Sequence, residues 1–370
     1  MKTKSKILMA LILVLLAAAA GSVYWWNYHK IHAPKYEQTA AIQTSAAPTV
    51  TPTLQPTPTI DPHAGKVQST INGQWITPAK AAKRPYAVMI NNIEYAFLHQ
   101  AGTSQADIIY EALAEGGITR MMAIYQDSSR VKRIGSVRSA RHYYAQFAYE
   151  WDAIYCHFGH TKYATAKIEQ LHINNLSGLS GIGGVVYDRD TSLRAPHNVF
   201  TDGKKLKKGT KALGYRTKAS RSKTAKHFTF NEEDVTSDHG KQTRRITLPF
   251  STYSTAVLKY DPKKQVYKKW EYNQKHMDTA NNRQLAFKNV IVQMVEESNI
   301  DDKGYQTMEI SNHSGKGYYI TNGRRIPITW HRNESSHSMV YRTKSGTVLH
   351  VNPDKTYIAV FPKGHTVTFQ

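Results

Sequence analysis

The sequence predicts an α+β protein in which a layered α/β domain precedes a β-rich domain. Three observations carry this reading. Between Arg84 and Thr201, buried-strand runs alternate with helical segments, the pattern of α/β layers. After Phe228 strand patterns stand alone and include an Asn-Gly hairpin signature. Between them, residues 203–226 hold Lys204, Lys205, Lys207, Lys208, Lys211, Arg216, Lys218, Arg221, Lys223 and Lys226 without one acidic residue. That stretch reads as an exposed basic connection. The predicted boundaries are 80–202 for the α/β domain, 203–227 for the connection and 228–370 for the β-rich domain.

Two segments precede the domains. In residues 1–32, Lys2, Lys4 and Lys6 stand before an uncharged apolar run from Ile7 to Trp26. About 20 such residues span a bilayer, and lysines on the near side favour a cytoplasmic N-terminus. Trp25 and Trp26 close the run where an interfacial aromatic belt would lie. The predicted state is a single-pass anchor at the cell membrane with the folded domains on the cell-wall side. A cleaved signal peptide is the competing reading, because Ala17 to Ser22 offers the small residues that a signal peptidase accepts. A buried core helix would leave the basic head and the following linker unexplained. Residues 33–79 are predicted to be a disordered linker. Pro48, Pro52, Pro56, Pro58 and Pro62 alternate with threonines there, a composition that favours an extended spacer.

Within the first domain, Tyr86 to Ile90 reads as a buried strand. Ser104 to Leu113 reads as a helix, with Ser104 as N-cap and Asp107 as the capping-box acid. Gly116–Gly117 would end that helix. Thr119 to Tyr125 is a predicted strand, Ala140 to Tyr149 a helix and Asp152 to His157 a strand. In the second domain, Ala256 to Tyr260 and Gln265 to Tyr272 bracket a turn at Asp261–Pro262. Val290 to Val295 is an apolar strand. Tyr318 to Thr321 and Arg324 to Trp330 flank Asn322–Gly323, which fits a type I′ turn. Val348 to Val351 and Tyr357 to Phe361 continue the β pattern.

The formal charge is +22, and +18 of it remains after residue 70. A field of that size attracts polyanions such as anionic lipid or the phosphate polymers of a wall. The single cysteine, Cys156, excludes an internal disulfide and any paired-cysteine zinc site. It lies in the apolar run Ala153 to Cys156 and reads as a buried thiol.

Five strings carry a family resemblance. They are Arg84 to Asn92, Ser104 to Ala112, Glu115 to Arg120, Gly135 to Arg141 and Ala195 to Asn198. They resemble the YerB-type lipoproteins, a family with an N-terminal domain of unknown function and a smaller C-terminal companion. The resemblance runs from about Lys80 to the C-terminus and implies an extracytoplasmic bacterial protein. It implies no reaction. Many relatives are anchored through a lipid-modified cysteine near the N-terminus. This chain has none there, so the apolar span would replace the lipid.

The candidate catalytic residues are Glu111, Glu115 and His197. Asp107, Glu111 and Glu115 are spaced by four, which on a helix makes one acidic ridge. Glycoside cleavage uses two carboxylates, and such a ridge could supply a general acid or base. Pairing with nearby arginines is the structural alternative. His197 follows Pro196 in a loop that could aim its side chain. The candidate ligand contacts are Asn92, Asp107, Arg120, Arg138, Ser139, Arg141, His157 and Asn198. Arg138 and Arg141 flank a helix start, where backbone N–H groups and guanidinium forks suit a phosphate or carboxylate. His157 and His160 have a metal-like spacing but no clear third ligand, so no metal and no cofactor are predicted. HExxH, P-loop and GxSxG patterns are absent.

The function these features predict is binding of an anionic wall polymer or glycan. A glycan hydrolase using Glu111 and Glu115, and an accessory subunit of a membrane complex, are the alternatives. Nucleic acid fits the charge but not the topology.

Overall fold

A computed structural model describes residues 61–370 apart from 221, 222, 224–226, 312 and 334, together with Trp25. The predicted span from Ile7 to Trp26 therefore lies outside the described residues, Trp25 excepted. Among the described residues no helix is long and apolar enough to cross a membrane.

Folded structure starts inside the segment expected to be linker. β1 (Val67–Gln68) pairs antiparallel with β2 (Trp75–Ile76), and Thr77 caps the short helix α1 (Pro78–Ala81). Ile71 is buried, and Asn72 Nδ2 donates to Asp107 Oδ1 at 2.6 Å. The linker expectation is corrected for residues 65–79, because anchors such as Asp107 come from distant parts of the chain that local composition does not reveal.

The N-terminal half then forms β3 (Tyr86–Asn91), α2 (Glu94–Phe97), β4 (Ile108–Leu113), β5 (Thr119–Tyr125), α3 (His142–Glu150) and β6 (Ile154–His157). It closes with α4 (Lys162–Gln170), β7 (Asn175–Ser177) and α5 (Gly203–Ala212). The helix expected over Ser104 to Leu113 is a correction. A 3₁₀ turn occupies Thr103–Gln105, and β4 follows with all six residues buried. β4 has partners on both edges and layers on both faces. Such a strand reads as an apolar run without alternation, so its period cannot be told from a buried helix. Ser104 caps no α-helix; its N–H and Oγ both donate to Asp278 Oδ2, at 2.9 and 2.7 Å.

The basic connection is also partly helical. Asp202 caps α5 by accepting from Lys204 N and Lys205 N at 2.8 Å, and Leu206, Gly209 and Thr210 are buried. The lysines occupy mainly its outer side, so the acid-free run is one solvated face of an amphipathic helix.

The C-terminal half supplies β8 (Arg245–Pro249), β9 (Thr255–Asp261), β10 (Val266–Glu271), β11 (Asn289–Val295) and β12 (Ser314–Thr321). β13 (Arg324–Asn333), β14 (Ser338–Thr343), β15 (Thr356–Pro362) and β16 (Thr368–Phe369) complete it. Asn322 and Gly323 turn β12 into β13 with φ of 49° and 74°, as the type I′ expectation requires.

Both halves build one eleven-stranded sheet. Its path runs from Lys241–Gln242 through β13, β12, β11, β15, β4, β5, β3 and β6 to β7, with β14 also on β13. The halves meet where β15 pairs in parallel with β4, Ile358 opposite Tyr110. A six-stranded sheet built around β10, β9, β8 and β16 forms a second layer. Alternation along β4 shows the layering. Tyr110 stacks on Phe147 of α3 with ring centroids 4.5 Å apart, while Glu111 points at Lys269 of β10.

Candidate anion-binding site

The strand ends of the central sheet hold two polar clusters back to back. Consecutive residues on a strand face opposite ways, so Asn91 and Arg120 serve one cluster while Asn92 and Thr119 serve the other. Asn91 and Arg120 are direct partners across β3 and β5.

The first cluster is arginine-rich. The segment after β5 returns to the end of β3, where Asn91 N donates to Ser136 O at 2.9 Å and Arg138 N to Met89 O at 3.2 Å. This brings Arg138 and Arg141 beside Arg120. Arg141 forks onto Glu115, with Nε at 2.7 Å from Oε1 and a shorter contact from Nη2 to Oε2. Their pairing holds the Glu115 carboxyl below its usual range even though burial opposes this. Arg138 Nη1 reaches Pro196 O at 3.4 Å. Asn91 Nδ2 donates to His197 Nδ1 at 2.8 Å, and His197 lies edge-on to Tyr95 at 5.8 Å. Arg194 sits over the same Tyr95 ring at 4.6 Å. Burial, then Arg138, Arg194 and Arg120, keep the His197 imidazole below its usual pKa.

Arg120 is the unusual member. It is 4% exposed, and its Nε and Nη1 have no hydrogen-bond partner among the described residues. Arg138 Nε and Ser136 Oγ are likewise buried without a partner. Burial, then Arg141 and Arg138, push the Arg120 guanidinium down to about 9. Arg141 and Arg120 thus act on the Glu115 carboxylate, and Arg138 adds a third guanidinium beside them. Buried donors ordinarily find acceptors, and the unpartnered Nε and Nη1 of Arg120 and Nε of Arg138 are chemically suited to an anion. Helix α3 starts directly after Arg141 with no side chain capping its first turn, which adds a positive pole.

Gly135 shapes the approach to Ser136. Its φ is +150°, and a Cβ there would meet Phe200 Cδ1 and Val199 O at 2.8 Å. Gly135→Ala is expected to cost about 1–3 kcal/mol, read as a lower urea midpoint.

The second cluster is fully buried between the two sheets. Lys269 Nζ lies 3.1 Å from Glu111 Oε2 and pairs more closely with Glu271. Glu111 also accepts from Thr119 Oγ1 and Tyr357 OH, both at 2.8 Å, and from Asn92 Nδ2 at 3.1 Å. Lys269 Nζ donates to His276 Nδ1 at 3.1 Å, and His276 Nε2 donates to Gln100 Oε1 at 2.6 Å. Burial and then Glu271 raise the Glu111 carboxyl to about 7, against the pull of Lys269. Lys269 stays charged, because Glu111 and Glu271 outweigh its burial. Lys269→Met would leave two carboxylates around an apolar gap. The expected loss is about 3–5 kcal/mol in urea unfolding, with partial recovery in the triple variant Glu111→Gln, Lys269→Met, Glu271→Gln. A loss as large in the triple variant would mean that packing, not charge, matters at Lys269.

The sequence-predicted residues divide accordingly. Glu115, Arg120, Arg138, Ser139, Arg141 and His197 come together or lie beside one another at the arginine cluster. Asn92 and Glu111 belong to the interior network, and both are 0% exposed. The acidic ridge of Asp107, Glu111 and Glu115 does not form, because β4 is a strand and Glu115 lies past its end. Asp107 secures the N-terminal hairpin through Asn72 and Gln126 N. His157 is buried, with Nδ1 2.8 Å from Gly159 O and Nε2 3.3 Å from Asn175 Oδ1. Asn198 braces its own loop through Arg189 and Asp190 O. Sequence reasoning missed Asn91, Ser136 and Arg194 in the first cluster. It also missed Lys269, Glu271 and His276 in the second. Charged residues on the inward positions of β10 were the available signal, since Tyr267, Lys269 and Glu271 share its buried face.

This architecture, one sheet completed by two chain halves, is that of a two-part family. The N-terminal domain model of DUF3048, described as a protein of unknown function, matches residues 71–216. Its C-terminal domain model matches residues 246–358. The chain belongs to this family. It is 28% identical over 300 residues to a protein of Bacillus subtilis (strain 168) named "Putative lipoprotein YerB", covering 81% of this chain and 87% of that protein. The crystal structure of the Bacillus subtilis YerB protein matches with a TM-score of 0.72 at 25% identity, covering 82% of this chain and 100% of that one. The family resemblance carried by the five sequence strings is thereby shown.

Proposed function

We propose that this protein is an extracytoplasmic envelope protein whose arginine cluster holds an anionic group of a wall polymer or glycan. The carrying observation is Arg120, whose buried Nε and Nη1 have no hydrogen-bond partner among the described residues, beside Arg138 and Arg141, with Glu115 as the acid that Arg141 pairs. The net charge of +22 favours encounter with polyanions. The word lipoprotein in the relative's name supports the address outside the cytoplasm. The sole cysteine, Cys156, is buried in β6, so Ile7 to Trp26 is proposed as the anchor in place of a lipid. Glycan cleavage by Glu111 and Glu115 gains no support, since the two carboxylates lie in different clusters.

The test is co-sedimentation of residues 61–370 with peptidoglycan, either carrying its anionic polymers or chemically stripped of them. Salt-sensitive pelleting confined to the unstripped material is expected. Equal pelleting with both would overturn the reading.

A further inference from the structure

We propose that the cavity on the outer face of the second sheet is a saccharide subsite. The proposal rests on the anion-binding reading and extends it to the class of ligand, a sugar chain bearing anionic groups. The cavity encloses about 480 Å³, within the range of small-molecule sites. Its walls include Tyr253, Trp270 and Tyr272, with Glu94, Arg245 and Asn273 at the polar margins.

Strand alternation explains the exposed aromatic wall. On β10, Tyr267, Lys269 and Glu271 face inward, so Trp270 faces out, opposite Val257 of β9. Tyr253 is 47% exposed, and its ring meets that of Tyr272 edge-on at 5.9 Å. Tyr272 is fixed in turn, because its hydroxyl donates to Asn92 O at 2.7 Å. The Lys259 ammonium lies 4.5 Å over the Trp270 ring, a contact that a sugar C–H face stacking there would replace. Sugars present this combination: C–H faces for aromatic rings, and hydroxyls for carboxylate, guanidinium and amide groups.

The cavity adjoins the arginine cluster along two short stretches of chain. Glu94 lines the cavity, while the next residue, Tyr95, packs against Arg194 and His197. Tyr253 lines the cavity two residues after Ser251, whose Oγ donates to Gly117 O at 2.5 Å. Gly117 in turn lies two residues from Glu115, the partner of Arg141. The cavity and the cluster are thus linked through the Glu94–Tyr95 step and the Gly117–Ser251 contact.

The experiment titrates residues 61–370 with chitotetraose, cellotetraose and maltotetraose by calorimetry and saturation-transfer NMR. These probes carry no charge, so they read the cavity independently of the arginines. Binding of at least one is expected, weakened tenfold or more by Trp270→Ala and by Tyr253→Ala. Absence of binding by all three would overturn the saccharide subsite, and so would equal binding by both variants. Salt-sensitive wall pelleting that survives either of those results would leave the anion reading standing. Loss of that pelleting alongside intact tetrasaccharide binding would remove only the anion reading.

Discussion

Residues 61–370 are expected to lose stability steeply as pH falls from 7 to 5, by several kcal/mol in urea unfolding. Four buried histidines drive the loss. Burial, above all, lowers His142 and His157 to about 4 and His227 to about 3, and lowers His276 well below its usual value. In the unfolded chain each would titrate near 6.5. Between those values the unfolded state binds more protons than the folded one, so stability must fall as pH falls. Over pH 7 to 5 each histidine contributes roughly 2 kcal/mol by linkage. Glu111 acts in the opposite sense. Its folded value near 7 lies above the unfolded 4.5, so it binds a proton in the folded state across that window and offsets about one histidine. The net uptake on unfolding is about three protons near pH 5. Urea midpoints at pH 7, 6 and 5 measure it. A flat profile would show that these imidazoles remain solvated in the folded protein.

Arg120→Met is expected to separate binding from stability. A charge–phosphate contact contributes about 1.5–3 kcal/mol, so binding to the unstripped wall material should fall roughly 10- to 100-fold. The same substitution removes a buried cation that sits beside Arg138 and Arg141 with unpartnered Nε and Nη1. Met keeps the apolar stem and removes the repulsion, so the melting temperature should rise. Arg141→Met should behave differently. It leaves the Glu115 carboxylate without its fork, and stability should drop together with binding. If Arg120→Met destabilised the protein and bound normally, Arg120 would be a structural residue.

Several members of the arginine cluster are legible in the sequence. Glu115, Arg120, Arg138, Ser139, Arg141 and His197 are all sequence candidates; a helix start marks Arg138 and Arg141, a proline-held loop marks His197, and an acidic spacing of four marks Glu115. Their convergence was not legible, since Pro196 and Arg138 meet across 58 residues. Glu111 was misread for a different reason. A spacing of four means one face on a helix, but on a strand its neighbours alternate, and β4 has no polar face to reveal its period. The residues that set its charge, Lys269 as counter-ion and Glu271 as a second carboxylate, are about 160 positions away and sit in an ordinary amphipathic strand pattern.

The sequence by itself determined the α+β class, the family, most strands of both halves and the Asn322–Gly323 hairpin. These depend on local periodicity, turn chemistry and short strings that resemble the family's, all of which lie among near neighbours. Only the tertiary structure decided that β15 joins β4, so that the two halves complete one sheet. It also decided that residues 65–79 fold, and that Glu111 is sealed with Lys269 while Nε and Nη1 of Arg120 are buried without a hydrogen-bond partner among the described residues. Burial and pairing depend on what covers a side chain. For these residues the cover comes from chain segments that no local pattern identifies.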